Sequence, residues 1–149
     1  MTVLCKRIGK HTLPVPAYAT EGAAAVDLRA HIPGDPLVLR PGDENLISTG
    51  FAMQIPDHLA LYLLPRSGLG VSGGIVLGNL VGLIDPDYRG AVQVALWYRR
   101  DEGPEVTICN GDRICQAALL PRVVAEFVEV GELTATERGA GGFGSSGRA

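Results

Sequence analysis

Cysteine is scarce in this chain, and its spacing excludes the usual uses. Cys5, Cys109 and Cys115 are three in number, and no pair is spaced as C-x-x-C. That argues against a disulfide framework and against a structural zinc site. The three histidines, His11, His31 and His58, fall in separate loop-like stretches and form no cluster along the sequence. No G-K-[ST] closes a glycine-rich loop, so a nucleotide P-loop is excluded. Charge of one sign is also missing: 13 basic and 16 acidic residues give a formal net charge of -3. A general nucleic-acid binder carries a stronger basic footprint, although a few arginines suffice to hold one small anion. The N-terminal MTVLCKRIGKHTLPVP has positive charge but no continuous apolar stretch. Neither a secretory signal nor a membrane span is expected, and the cytoplasm is the default location.

What remains is a chain able to fold on its own. Its 149 residues suit one domain, and 46% of them are hydrophobic, so general disorder is excluded. A chain of this size buries roughly 68% of its unfolded surface. The hydrophobic pattern has period two. LISTGFAMQI (46–55), LALYLL (59–64), VQVALWY (92–98), EVTIC (105–109), RICQAALL (113–120) and VVAEFVEV (123–130) all read as strands. Turn-rich RPGDEN, IPDH, RRDEGPE and CNGD separate them. Many short strands at this spacing predict an all-β sandwich, barrel or jelly roll. A short helix is possible at Ser67–Leu69, weakened by its glycines. The last stretch, GELTATERGAGGFGSSGRA, reads by composition as a flexible arm, in which Arg138 and Phe143 are unexpected.

Several segments carry both a plain and a chemical reading. GLIDPDYRG (82–90) is hairpin-turn sequence between LVGLI and VQVAL, yet Asp85 or Asp87 there can orient and partly deprotonate a water. Tyr88 either packs beside the turn or forms a flat wall under a sugar, leaving no room for an extra hydroxyl. Arg89 suits a surface or inter-chain pair. In PRSGLG (65–70), Arg66 and Ser67 either cap the next segment or meet phosphate oxygens together with the amide of Gly68. Asn79, in the apolar IVLGNLVGLI, needs partners if buried. Its amide also suits the donor and acceptor edge of a base, with the main chain of Leu83 and Ile84 completing the recognition as a strand completes a sheet. GDRICQ (111–116) is a turn entering a strand in which Gln116 can bridge a water or a phosphate oxygen, Arg113 can bind an acid, and Cys115 fills core space. In AAAVDL (23–28), Asp27 is either a turn or N-cap residue or holds water around Mg²⁺. RGAGGFGSSG (138–147) can fold over a polyphosphate.

Taken in order, AAAVDL, PRSGLG, GLIDPDYRG, GDRICQ and RGAGGFGSSG resemble the five motifs of the deoxyuridine triphosphate nucleotidohydrolase (dUTPase) family, over roughly residues 22–147, with GIVLGNLVG adding to the match. The resemblance implies a jelly-roll-like β barrel or sandwich, with residues 1–136 as the β domain and 137–149 as a mobile arm. It implies a homotrimer with shared active sites, dUTP as substrate, and no nucleic-acid or membrane partner. The implied reaction is hydrolysis of dUTP to dUMP and diphosphate, with Mg²⁺ as cofactor. Asp85 would activate water for attack at the α-phosphorus and Gln116 would help position it. Asp27 would hold a metal-bound water. Arg66, Ser67, Gly68 and Gln116 would hold phosphates, while Asn79 with the main chain of Leu83, Ile84 and Asp85 would read uracil. Tyr88 would exclude ribose, and Gln93 would touch substrate through its main chain. Arg138, Gly144, Ser145 and Ser146 would hold the terminal phosphate and Phe143 would cover the base.

The match has departures. Ala25 stands where the family usually has glycine, VSGG (71–74) where relatives often have basic residues, and Cys115 where alanine is common. Two other readings stay open. One is a dCTP deaminase or bifunctional deaminase and diphosphatase, which would need an Arg-Ser-Ser pattern and a matching glutamate that are not seen. The other is a noncatalytic nucleotide-binding trimer.

Overall fold

A computed structural model describes residues 1–142. Ten strands form in it: β1 (Leu4–Arg7), β2 (Val26–Arg29), β3 (Leu37–Leu39), β4 (Glu44–Gln54), β5 (Leu59–Leu64), β6 (Ile75–Leu77), β7 (Gly82–Ile84), β8 (Ala91–Tyr98), β9 (Val106–Ile108) and β10 (Arg113–Pro121). The only helical element among the described residues is a π-helical turn, Gly68–Gly73. Two four-stranded sheets, ordered β1-β4-β8-β6 and β2-β10-β5-β7, and a small β3-β9 pair make up the fold. All pairings are antiparallel. The expected all-β, jelly-roll-like architecture is present in its sandwich form, without a closed barrel.

The period-two pattern explains how the sheets meet. Along β8, Val92, Val94, Leu96 and Tyr98 are buried in strict alternation. They share one core with Leu61, Leu63, Ile114, Cys115 and Ala117 of the opposite sheet, as expected when two half-buried faces are pressed together. Thr49 is the one buried polar side chain among the described residues, and it donates to the Val92 carbonyl (2.9 Å). No helix among the described residues is long and apolar enough to cross a membrane.

Three expectations are corrected. VVAEFVEV (123–130) forms no strand: its side chains are bare, with Phe127 97% exposed and Val123 88% exposed. The alternation is there, but no strand among the described residues pairs with it. The stretches flanking DPDYRG are not a hairpin. β7 pairs with β5 and β8 pairs with β4 and β6, so the turn crosses from one sheet to the other. Finally, two of the three histidines do meet. The rings of His11 and His31 lie 4.6 Å apart, and His11 stands edge-on to Phe51 at 5.1 Å. Arg7 donates to His11 Nδ1 (3.2 Å), so Nε2 carries the proton and donates to the Gly50 carbonyl (2.8 Å). Burial, then the neighbouring His11, holds the His31 pKa below its ordinary value. These contacts are packing, which fits the structural role expected for the histidines.

Candidate active site

One group of candidate residues assembles where β2, β10 and the end of β5 meet. Asp27 is not a turn or cap residue. It lies within β2, opposite Gln116 of β10, which in turn pairs with Leu64 of β5. Arg66 follows β5 after a single residue, Pro65. Its Nε donates to Asp27 Oδ1 (3.1 Å), and its Nη1 to the Arg113 carbonyl (3.0 Å). Arg113 Nη1 donates to Asp27 Oδ2 (3.1 Å). The Asp27 side chain is only 17% exposed, and two guanidinium groups hold it in place. Two cations against one anion leave a net positive cluster, and each arginine keeps N–H groups that these contacts do not use. Such a set suits a polyphosphate.

Ser67 stands next in line at the N-cap position of the Gly68–Gly73 turn, but its side chain makes no capping bond. The capping reading of Ser67 therefore fails, and the exposed hydroxyl is left for another partner. Cys115, beside Gln116, is fully buried. Its thiol is pushed up to about 12, first by burial and then by the Asp27 carboxylate, so it is core filler and not a nucleophile.

Asp27 is also the place to test the fit of a divalent cation. No group of three or more His, Cys, Asp or Glu side chains gathers into a cage among the described residues. Each Asp27 oxygen spends one lone pair on an arginine and keeps another. The donor set therefore fits Mg²⁺ bound through water and arriving with a phosphate ligand, which is how that ion is usually held.

A second group forms around the crossing turn. Leu83, Ile84, Asp85, Tyr88, Ala91 and Gln93 line an open cleft of about 190 Å³. The sheet order explains why it exists. β7 is an edge strand, so one side of its main chain is unpaired. β6 pairs only with Leu96–Tyr98 of β8, leaving that side of Ala91–Val94 uncovered by a strand. Two rows of backbone donors and acceptors thus face a gap, as an unfinished sheet does.

The turn itself is braced. Tyr88 N–H donates to the Asp85 carbonyl (3.2 Å), and Arg89 Nη1 donates to the Pro86 (2.6 Å) and Tyr88 (3.0 Å) carbonyls. Arg89 therefore serves its own turn. The Tyr88 ring lies over Gly90, where a Cβ would fall 2.3 Å from its Oη, and the hydroxyl donates to the Ala91 carbonyl (3.1 Å). Asp85 is exposed at the cleft and makes no ion pair among the described residues. Asn79 is exposed too, so burial does not oblige it to find a partner. Ala91 and Gly90, which shape the cleft with Tyr88, were not singled out from the sequence. The only signal there was the closing glycine of GLIDPDYRG.

The two groups do not face each other within one chain. Gln116 pairs with Leu64 and Ile84 with Leu61, three residues apart on β5, or about 10 Å along the strand. Asp85 continues beyond Ile84, away from Leu64. Arg138 joins neither group through its hydrogen bond, since its Nε donates to the Gly141 carbonyl of its own turn (2.9 Å). Phe143, Gly144, Ser145 and Ser146 lie outside the described residues.

Comparison with known proteins gives a consistent result. The family model described as dUTPase matches residues 11–147. The deoxyuridine 5'-triphosphate nucleotidohydrolase of Coxiella burnetii (strain Dugway 5J108-111) is 52% identical over 149 residues, covering 99% of this chain and 95% of that protein. Its counterpart in Escherichia coli (strain K12 / DH10B) is 51% identical over 147 residues, covering 98% and 95%. Among solved structures, the dUTPase of Staphylococcus bacteriophage 80alpha, a G164S mutant with dUpNHpp, superimposes with a TM-score of 0.82 at 24% identity, covering 99% of both chains. The dUTPase of phage phi11 of S. aureus gives 0.77 at 19% identity, covering 91% of this chain and 100% of that one. At those identities the structural matches speak to the fold.

Proposed function

This chain belongs to the dUTPase family, and from that premise we propose how its own residues carry out the hydrolysis of dUTP to dUMP and diphosphate. The observation that carries the reading is the division of the candidate residues into a cationic cluster and a backbone-lined cleft. The first suits a triphosphate and the second a flat base and its sugar.

Arg66, Ser67, the Gly68 amide and Gln116 grip the phosphate chain, with Arg66 pre-aimed by Asp27. The main chain of Leu83, Ile84 and Asp85 reads the uracil edge, Asn79 adds its amide, and Gln93 contributes main-chain contact from β8. Tyr88 lies where a ribose 2′-hydroxyl would have to go. Asp85 accepts a proton from the water that attacks the α-phosphorus, and Gln116 helps position that water. Mg²⁺, held through water by Asp27, would supply charge neutralisation to the triphosphate when bound. The rest of the work is alignment of water, phosphorus and leaving group.

In this reading the enzyme is a trimer. The three-residue separation of the two groups along β5 supports a site in which one subunit supplies the cationic cluster and a second supplies the cleft. Residues 1–136 form the β domain. Residues 137–149 form an arm that brings Arg138, Phe143, Gly144, Ser145 and Ser146 over the site. The three cysteines form no disulfide, which supports a cytoplasmic placement.

Product analysis tests the reading. dUTP, UTP, dTTP and dCTP are supplied separately with and without Mg²⁺, and diphosphate and ammonia are followed together. Diphosphate from dUTP alone, dependent on Mg²⁺, is expected. Ammonia from dCTP would instead indicate a deaminase, and nucleotide binding without turnover a binding module.

Gly90 gives a sharper check on the sugar filter. A methyl group there would meet the Tyr88 Oη at 2.3 Å and its Cζ at 2.5 Å, so Gly90→Ala must displace the ring. The dUTP over UTP preference in kcat/KM is expected to fall by about tenfold or more. An unchanged ratio would remove Tyr88 from the role of ribose filter.

A further inference from the structure

The phosphate loop is held from outside by two arginines that none of the five motifs contains. The segment GLGVSGG (68–74) has four glycines and no basic residue, so its helical turn is weak by propensity. Its last carbonyls, like those of any helical end, lack partners within the turn. Leu69 packs against the core, and the Gly74 N–H bonds back to the Leu69 carbonyl. The remaining anchors come from the end of β8. Arg99 N–H donates to the Gly74 carbonyl (3.0 Å) and Arg99 Nη2 to the Gly70 carbonyl (3.3 Å). Arg100 Nη2 donates to the Ser72 carbonyl (2.6 Å). The Arg100 stem crosses directly over Gly74, which has φ +73°, and where a Cβ would lie 2.7 Å from Arg100 Nε. The second glycine of VSGG therefore both makes the left-handed turn and clears a path for Arg100.

We propose that Arg99 and Arg100 are positioning residues for the phosphate loop. By holding the Gly68–Gly73 turn by its carbonyl oxygens, they fix where Arg66, Ser67 and Gly68 present their donors. The proposal rests on the phosphate reading of PRSGLG given above. It also accounts for VSGG. The positive charge absent from the segment itself is supplied by the neighbouring strand end, at the carbonyl end of the turn where cations are favourable.

The test compares Arg100→Met, which keeps the stem and loses the donors, with Arg100→Lys, which keeps one cationic donor group. Ser67→Ala serves as a control on the loop itself. For Arg100→Met, KM for dUTP is expected to rise about tenfold with a smaller change in kcat. The dUTP over UTP preference, set in the other cleft, should be unchanged. Arg100→Lys should recover most of the loss. Amide exchange across residues 68–74 should speed up in Arg100→Met while that of β10 does not.

An unchanged KM in Arg100→Met, beside an impaired Ser67→Ala, overturns the clamp and leaves the loop reading standing. A parallel fall of thermal stability, kcat and base and sugar selectivity, without rescue by lysine, also overturns it. If Ser67→Ala has no effect on dUTP turnover, the phosphate reading of the loop fails and the clamp falls with it.

Discussion

Asp85→Asn is expected to lower kcat for dUTP by roughly 10²- to 10⁴-fold, the usual contribution of a positioned general base, while KM stays within about threefold. The substitution keeps the shape of the side chain and its turn. The turn is closed through the Asp85 main-chain carbonyl and through Arg89 on the Pro86 and Tyr88 carbonyls, not through the carboxylate. What is lost is an acceptor for the proton of the attacking water. Asp87 is the internal control. It shares the same turn and is also exposed, but it does not line the cleft. Asp87→Asn should leave kcat within about twofold. Single-turnover measurements with the two variants separate the cases. A severe loss in Asp87→Asn beside a mild one in Asp85→Asn would reverse the assignment.

The sequence carried the long strands well, because a half-buried strand writes its environment as alternation. Val92, Val94, Leu96 and Tyr98 are the clearest instance. β2, β3, β6 and β7 are three or four residues long, too short for alternation to stand out from chance. That is why a turn or N-cap stayed open as the plain reading of Asp27, which is a strand residue. The crossing at DPDYRG was illegible for a different reason. Turn residues specify a reversal but not which sheet each flank joins, and that is decided by long-range pairing of β7 with β5. VVAEFVEV shows the opposite failure. Its pattern is that of a strand, yet alternation specifies only a face to be buried and not that the burying partner belongs to the same chain. For the site, residue types and motif order singled out Asp27, Arg66, Asp85, Tyr88 and Gln116 as candidates. The pairing of Asp27 with both Arg66 and Arg113, and the seating of Tyr88 on Gly90, required coordinates. So did the hold of Arg99 and Arg100 on the Gly68–Gly73 turn, since nothing in YRRDEG marks those arginines as belonging to a segment about thirty residues earlier.

The separation of the two residue groups along β5 has a second large consequence. If one subunit supplies the cationic cluster and another the cleft, two differently damaged chains can repair each other. Asp85→Asn chains lack the base but keep an intact phosphate side. Chains carrying Ser67→Ala with Gln116→Ala keep the base and lose phosphate contacts. Each alone should retain at most about 1% of normal turnover. Refolded together at equal amounts, random mixing makes the two contributing chains of a site complementary in about one quarter of cases. The mixture should then show about 25% of normal activity, with normal KM for dUTP in the active fraction. Native mass spectrometry, with one parent chain isotope-labelled, establishes that mixed trimers have formed. Sites contained within one chain would give only the mean of the two parents, a difference of more than tenfold in rate. That outcome would defeat the shared-site arrangement while leaving the hydrolysis of dUTP untouched, because the wild-type chain would still turn over substrate. Complementation near one quarter would instead assign Asp85 and the Ser67–Gln116 pair to different subunits, in keeping with their separation along β5.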